Sequence, residues 1–197
     1  MKRNIFTSID LELNQPSNSI IQIGAVVGDI YSGEILDSLS IIVNPNEVLG
    51  SCNDIEKTIT ELTGITQDQV DNGENLEQAY FKLKDFHKKY NSFINPITWG
   101  GGDSILLLNQ LREKYDTDKY SDYWCFGRRW IDAKTLYISY RLSQGKDAAG
   151  GLAKAMTKFN LRFEGKKHNA LDDAKNTFIL YKHMLELFKK DINNVST

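Results

Sequence analysis

The sequence predicts an α/β domain built on a mixed sheet. Three observations carry that reading. The opening third alternates like strands joined by connections too short for a crossover. A short apolar run follows a proline in the middle of the chain. Helical stripes fill most of the remainder. In the first strand Ile5, Thr7, Ile9 and Leu11 alternate with Phe6, Ser8, Asp10 and Glu12. Residues 19–27 are rich in Ile and Val, a turn at 29–33 contains Ser32-Gly33, and 34–43 reads as a third strand. Such short links favour antiparallel neighbours, so the three form a meander. Asn53 or Asp54 caps a short helix to about Leu62, and Gly64 ends it. Leu76, Ala79, Tyr80, Leu83, Phe86 and Tyr90 form a helical stripe over 75–90. Residues 96–99 read as a buried strand. Asp103 then opens a helix through Leu106, Leu107, Leu111 and Tyr115. The aromatic-rich stretch 123–131 is expected to hold a fifth strand. Helices follow at 133–142, 151–160 and 169–190, the last with a stripe of Ala174, Phe178, Tyr181, Leu185 and Phe188.

The chain has 197 residues, which suits a single domain over 1–197 with a core at about 5–188 and a short C-terminal tail. Its 41% hydrophobic and 25% charged content is ordinary for a globular protein. Only 3 prolines are present, which excludes a Pro-rich or collagen-like region. No apolar run is long enough to span a bilayer. Lys2 and Arg3 imitate the start of a signal peptide, but Asp10 and Glu12 interrupt any apolar region. A cytoplasmic protein with no membrane partner is therefore expected. Cys52 and Cys125 have no metal-ligand spacing and read as reduced, partly buried thiols. The net charge of −2 does not announce a nucleic-acid binder, but its distribution is uneven. Residues 128–167 carry 10 basic and 3 acidic side chains, and residues 51–80 carry 7 acidic and 1 basic. One face can therefore meet an anionic partner; two solvated helix faces of opposite sign explain the asymmetry equally well.

Asp10 and Glu12 lie two apart in a strand, so both carboxylates point the same way. They repel unless a cation lies between them or one takes a proton. A solvated pair on an open sheet face is the alternative. Asp103 follows Gly100, Gly101 and Gly102, and taken alone it reads as a helix N-cap. No Gly-Lys-Ser/Thr follows, so the glycines are not a Walker A loop. His168 precedes the last helix, and Asp172 and Asp173 sit in its first turn, where carboxylates are favourable. His87 and His183 lie among lysines and read as surface residues. If Asp10, Glu12, Asp103 and Asp173 converge, their hard oxygens suit Mg²⁺ or Mn²⁺. Two such ions about 4 Å apart form the clamp used in phosphoryl chemistry.

The segments Ser8-Ile9-Asp10-Leu11-Glu12, Trp99-Gly100-Gly101-Gly102-Asp103 and His168-Asn169-Ala170-Leu171-Asp172-Asp173 resemble the three motifs of the DEDDh, or DnaQ-like, 3′–5′ exonucleases. Ile20-Ile21-Gln22-Ile23-Gly24-Ala25-Val26, Leu62-Thr63-Gly64-Ile65-Thr66, Trp130-Ile131-Asp132-Ala133-Lys134 and Phe163-Glu164-Gly165 extend the likeness, which is strongest to the Eri-type and KapD-like branch. It implies a ribonuclease H-like fold with a five-stranded mixed sheet flanked by helices. It also implies that Asp10, Glu12, Asp103 and Asp173 hold two divalent ions, Mg²⁺ or Mn²⁺, and that His168 is the general base. The sister class carries a Tyr four residues before the last Asp; Asn169 stands there instead.

Two positions depart from the usual pattern. Leu13 replaces a small residue beside the first-motif Glu, and Gly102 replaces a bulky residue before the second-motif Asp. The implied substrate is a single-stranded or 3′-overhanging nucleic acid, RNA favoured over DNA, cut to nucleoside 5′-monophosphates. Candidate substrate contacts are Leu13, Phe6, Trp99, Asn169, Lys166 and Lys167, with Arg128 and Arg129 in the same basic segment. No nucleic-acid-binding appendage is expected ahead of Ile5, so targeting falls to the domain itself or to a partner. DNA proofreading or repair trimming remains open, as does a non-catalytic nucleic-acid-binding or polymerase accessory subunit.

Overall fold

A computed structural model describes residues 4–46, 54–114 and 124–195, with side chains to residue 190. The meander forms as the alternation predicts. β1 (Ile5–Leu13), β2 (Ile20–Asp29) and β3 (Ile35–Asn44) pair antiparallel in chain order. The sheet has six strands in the order β4-β3-β2-β1-β5-β6, where five were expected. The addition is β4 (Glu74–Asn75), which pairs parallel along the outer edge of β3. Two residues are too few to show alternation, so no sequence pattern marks it. β5 (Ile97–Thr98) runs parallel to β1, with Ile97 opposite Ser8, and β6 (Ile131–Asp132) runs parallel to β5. The strand expected over 123–131 is thus reduced to its last residue plus Asp132. Tyr123 lies outside the described residues. Trp124, Phe126 and Trp130 pack into the core instead of joining a ladder.

Six helices follow the sequence reading closely. α1 (Lys57–Thr63) begins after Glu56, not at Asp54, and Asn53 lies outside the described residues. Gly64 ends α1 at φ 79°, the left-handed conformation that glycine adopts without penalty. α2 (Gln67–Asp71) is a further helix, set by a capping box between Thr66 and Gln69. Its five residues make too short a turn for a periodic stripe. α3 (Leu76–Lys89) carries the expected stripe and a second capping box, from Asn75 and Gln78. α4 (Gly102–Lys114), α5 (Ala133–Ser143), α6 (Leu152–Lys158) and α7 (Ala170–Val195) complete the order.

The sheet separates two apolar layers. On one face Ile9, Leu11, Ile23 and Val27 pack with Leu83 of α3 and Leu107 and Leu111 of α4. On the other, Val26 and Ile97 pack with Tyr137, Met156, Phe178 and Met184 of α5, α6 and α7. Asp10 and Glu12 alternate with Ile9 and Leu11, so they face the second layer, the side of α7.

Both histidines read as surface residues are packed. His87 is buried, shares a 2.8 Å hydrogen bond with Thr7 Oγ1 and meets the Phe126 ring edge-on at 4.8 Å. Burial pushes its pKa down to about 4. His183 is half-buried against Phe159. The lysines flanking them in sequence occupy other faces of the same helices. Cys125 is a half-buried free thiol, and Cys52 lies outside the described residues. Among the described residues no helix is long and apolar enough to cross a membrane.

Phe178 is fully buried between α7 and the sheet. Phe178→Ala is expected to cost about 3–5 kcal/mol, read as a lower denaturant midpoint in chemical unfolding.

Candidate active site

The site is built around one close approach of backbones. Asp10 pairs across the sheet with Gly24. A Cβ on Gly24 would lie inside the van der Waals envelope of the Ala170 carbonyl carbon and the Leu171 nitrogen. The start of α7 therefore rests directly on β2, beside Asp10. Gln22 fastens it there. Its Oε1 accepts the Ala170 N–H at 3.0 Å, and its Nε2 donates to Ser40 Oγ at 3.1 Å. Asn169 caps the helix by accepting the Asp172 N–H at 3.3 Å.

This anchored first turn positions the histidine. Asp172 Oδ2 accepts the Lys166 N–H at 2.8 Å, and Asp173 Oδ2 accepts the His168 N–H at 3.2 Å. His168 has φ 59°, a left-handed conformation that is costly for a residue with a Cβ. The result is that Glu12, His168 and Asp173 each offer a ligand atom within 4.8 Å of the others.

The second-motif carboxylate arrives separately. Gly100 takes φ 107°, which turns the chain sharply out of β5. Its N–H donates to Asp132 Oδ1 at 3.1 Å, and its carbonyl accepts from Thr98 Oγ1 at 2.7 Å. Asp103 then falls in the first turn of α4. Asp132 also caps α5 through the N–H groups of Lys134 and Thr135. One side chain thus pins both the glycine turn and the next helix.

The four carboxylates gather as expected, and the electrostatics record it. Asp10 is pushed well above the usual carboxylate range by burial, then by the charges of Asp103, Asp173 and Glu12. Burial, with Asp173 and Asp103, pushes Glu12 up to about 7. Burial, with the Asp132 charge, pushes Asp103 up to about 7. Burial also raises Asp173, while the His168 N–H bond pulls the other way. So much negative charge in one place is stable only with protons or a cation present.

Beside this cluster lies a cavity of about 500 Å³, walled by Trp99, Phe163, Lys134, Lys154 and Lys167, with His168 and Asp173 on its rim. Of the candidate substrate contacts, Trp99 and Lys167 line this cavity. The structure places four other candidates elsewhere. Phe6 lies four residues up β1, about 13 Å from Asp10, and packs on Phe93 with ring centroids 5.1 Å apart. Leu13 packs against the Ile9 and Leu11 layer, because strand alternation turns it away from Glu12. Lys166 donates its Nζ to the Thr63 carbonyl at 2.9 Å, which ties the segment before α7 to the end of α1. Asn169 serves as the cap of α7. The sequence reading missed Gln22, Gly24, Asp132, Lys134, Lys154 and Phe163. A glycine paired with a strand acidic residue, and an Asp one position before a helix, were the available signs.

Residues 7–181 match the model of the RNase_T family, described as exonuclease. The chain belongs to this exonuclease family. It is similar to mouse ERI1 exoribonuclease 2, 28% identical over 181 residues, covering 83% of this chain and 25% of that protein. It is also similar to the probable 3′-5′ exonuclease KapD of Bacillus subtilis (strain 168), 26% identical over 191 residues, covering 92% and 85%. The solved nuclease domain of 3′hExo, a DEDDh family member bound to rAMP, shares the fold. Its TM-score is 0.74 at 24% identity, with 93% of this chain and 92% of that one covered. The chain spans a quarter to about half of the ERI-type relatives' length, 25% of one and 47% of another.

Members of this exonuclease family generally use divalent metals. The residues present fit such an ion. The donors are hard carboxylate oxygens, and burial together with neighbouring carboxylates makes Asp10, Glu12, Asp103 and Asp173 hold protons more tightly than usual.

Gly24→Ala is expected to lower stability by about 1–3 kcal/mol and to abolish the thermal shift given by Mn²⁺, because α7 must lift off β2. Differential scanning fluorimetry with and without the ion reads both effects. A second outcome follows from the raised carboxyls. A carboxyl with a raised folded-state pKa stabilises the chain below its unfolded pKa and loses that contribution as pH rises through the folded value. Metal-free wild-type protein is therefore expected to lose stability relative to Glu12→Gln between about pH 4.5 and 7. The gap is constant above that window, and the melting temperatures of the two chains across pH measure it.

Proposed function

We propose that the chain is a metal-dependent 3′–5′ exonuclease. It trims single-stranded or 3′-overhanging ends, RNA in preference to DNA, and releases nucleoside 5′-monophosphates. The observation that carries this reading is the convergence of Asp10, Glu12, Asp103, Asp173 and His168 at the mouth of a cavity. Two ions, Mg²⁺ or Mn²⁺, held by the four carboxylates would supply Lewis-acid activation of water and of the phosphodiester. His168 is exposed at the rim and takes the proton of the attacking water. Its backbone N–H bond to Asp173 and its constrained φ keep the ring beside Glu12. Trp99 and Phe163 offer apolar faces for the terminal base. Lys134, Lys154 and Lys167 line the same cavity and offset the phosphate charge. The family match and the naming of the ERI-type relatives as exoribonucleases support RNA as the favoured strand. All four carboxylates and the histidine are present, which favours an active enzyme over an accessory subunit.

The test is a 5′-labelled strand, supplied as matched RNA and DNA, with Mg²⁺ or Mn²⁺ and with EDTA. Stepwise shortening from the 3′ end is expected with metal and none with EDTA, faster on RNA. Asp10→Asn is expected to abolish turnover, and His168→Ala to lower kcat by about 10²- to 10⁴-fold. Intact strands in every lane point to the accessory reading. Equal or faster DNA shortening points to proofreading or repair trimming.

A further inference from the structure

A second cavity, about 560 Å³, lies outside the catalytic one. One wall is the outer face of α4, where Ser104, Leu108 and Arg112 recur at helical spacing. The opposite wall carries Trp124, Arg128 and Trp130 from the segment leading into β6. The near end adjoins the glycine turn, since Ser104 follows Asp103. The far end, at Arg112, lies eight residues on, about 12 Å along the helix. The cavity is therefore a groove leading away from the catalytic mouth.

Its chemistry is specific. Tyr80, Trp124 and Trp130 form a ladder of nearly parallel rings, with interplanar angles of 4° and 15°. The ladder climbs from the fully buried Tyr80 to the half-buried tryptophans on the groove wall. Trp130 Nε1 is buried with no hydrogen-bond partner among the described residues. Arg112 and Arg128 are exposed, and among the described residues neither has an ion-pair partner. Among the described residues no carboxylate lines the groove. At the rim, Ile105 keeps 60% of its surface exposed. Flat apolar rings beside unpaired guanidiniums match a base stacked next to a phosphate.

We propose that this groove is a subsite for single-stranded nucleic acid, holding nucleotides on the 5′ side of the scissile end. A base extends the tryptophan ladder, and Arg112 and Arg128 take the phosphates that flank it. The inference rests on the exonuclease reading for its direction along the strand, but binding to the groove requires no turnover. It accounts for how an enzyme with a strongly acidic centre keeps its grip on a polyanion between cuts.

Binding of a 5′-fluorescein oligouridylate octamer, followed by anisotropy in EDTA, tests it on the full chain. The charge-reversed variant Arg112→Glu/Arg128→Glu alters two exposed side chains outside the core. Its Kd is expected to rise about 10-fold or more, and the slope of log K against log salt to flatten by about 1–2. A strand with 5-iodouridine at internal positions is expected to cross-link to Trp124 or Trp130. An unchanged Kd and slope, or no binding by the wild-type chain, overturns the subsite and leaves the groove to a protein partner or to nothing. Hydrolysis of the p-nitrophenyl ester of uridine 5′-monophosphate with Mn²⁺, which has no nucleotide on the 5′ side of the scissile bond, is expected to be equal in the two chains. Failure of the wild type both to hydrolyse this ester and to shorten the octamer with Mn²⁺ sinks the exonuclease reading, while the octamer binding measurement still decides the groove.

Discussion

The structure depends on a contact between two backbones. Gly24 of β2 presents no side chain, and the start of α7 settles into the space. That contact brings the first turn of the last helix to the level of Asp10 in β1. Gln22, two residues earlier on the same strand, converts the contact into a fixed register by taking the Ala170 N–H. Asp173 and His168 then inherit their positions from the helix axis. A methyl group at position 24 is small as chemistry but large as geometry, because interiors are packed too densely to yield.

The fold holds its acidic centre at a cost. Burial and mutual repulsion raise Asp10, Glu12 and Asp103 together, so the folded chain gathers negative charge that it does not neutralise by itself. Strain at His168 adds to this. The compensation comes from the two apolar layers and from a hydrogen-bonded frame at the rim. Asp132 and Asp172 form part of that frame; each accepts backbone N–H groups and so acts as a brace. A cation that enters such a centre meets ligands already in place, and relieving their repulsion adds to its binding.

Basic and aromatic groups surround that centre in two separate places. Lys134, Lys154 and Lys167 line the cavity beside the acidic cluster, whereas Arg112 and Arg128 stand along the neighbouring groove. The excess of basic residues over 128–167 is thus divided among a cavity wall, a groove wall and loop clasps such as Lys166 on Thr63. Charge counted along the chain could not distinguish these uses.

Much was legible from residue order alone. Strand alternation in β1, the three-strand meander, the stripe of α3 and the glycine stop of α1 are local consequences of side-chain spacing and backbone sterics, and each appears where it was read. The acidic cluster was legible as well, since residue types suited to one chemistry recurred in motifs of a known pattern. What failed was whatever local spacing does not encode. β4 exists only because β3 offers it an edge. His87 is buried because Thr7 and Phe126, distant in sequence, surround it. Phe6 and Leu13 pack inward although both lie in or beside the first motif. Residue type and order marked the side chains whose chemistry suits a cation or a proton: Asp10, Glu12, Asp103, Asp173 and His168. Which aromatics and lysines line the cavity beside them was settled by the fold, because that depends on which surfaces remain after distant segments have covered one another.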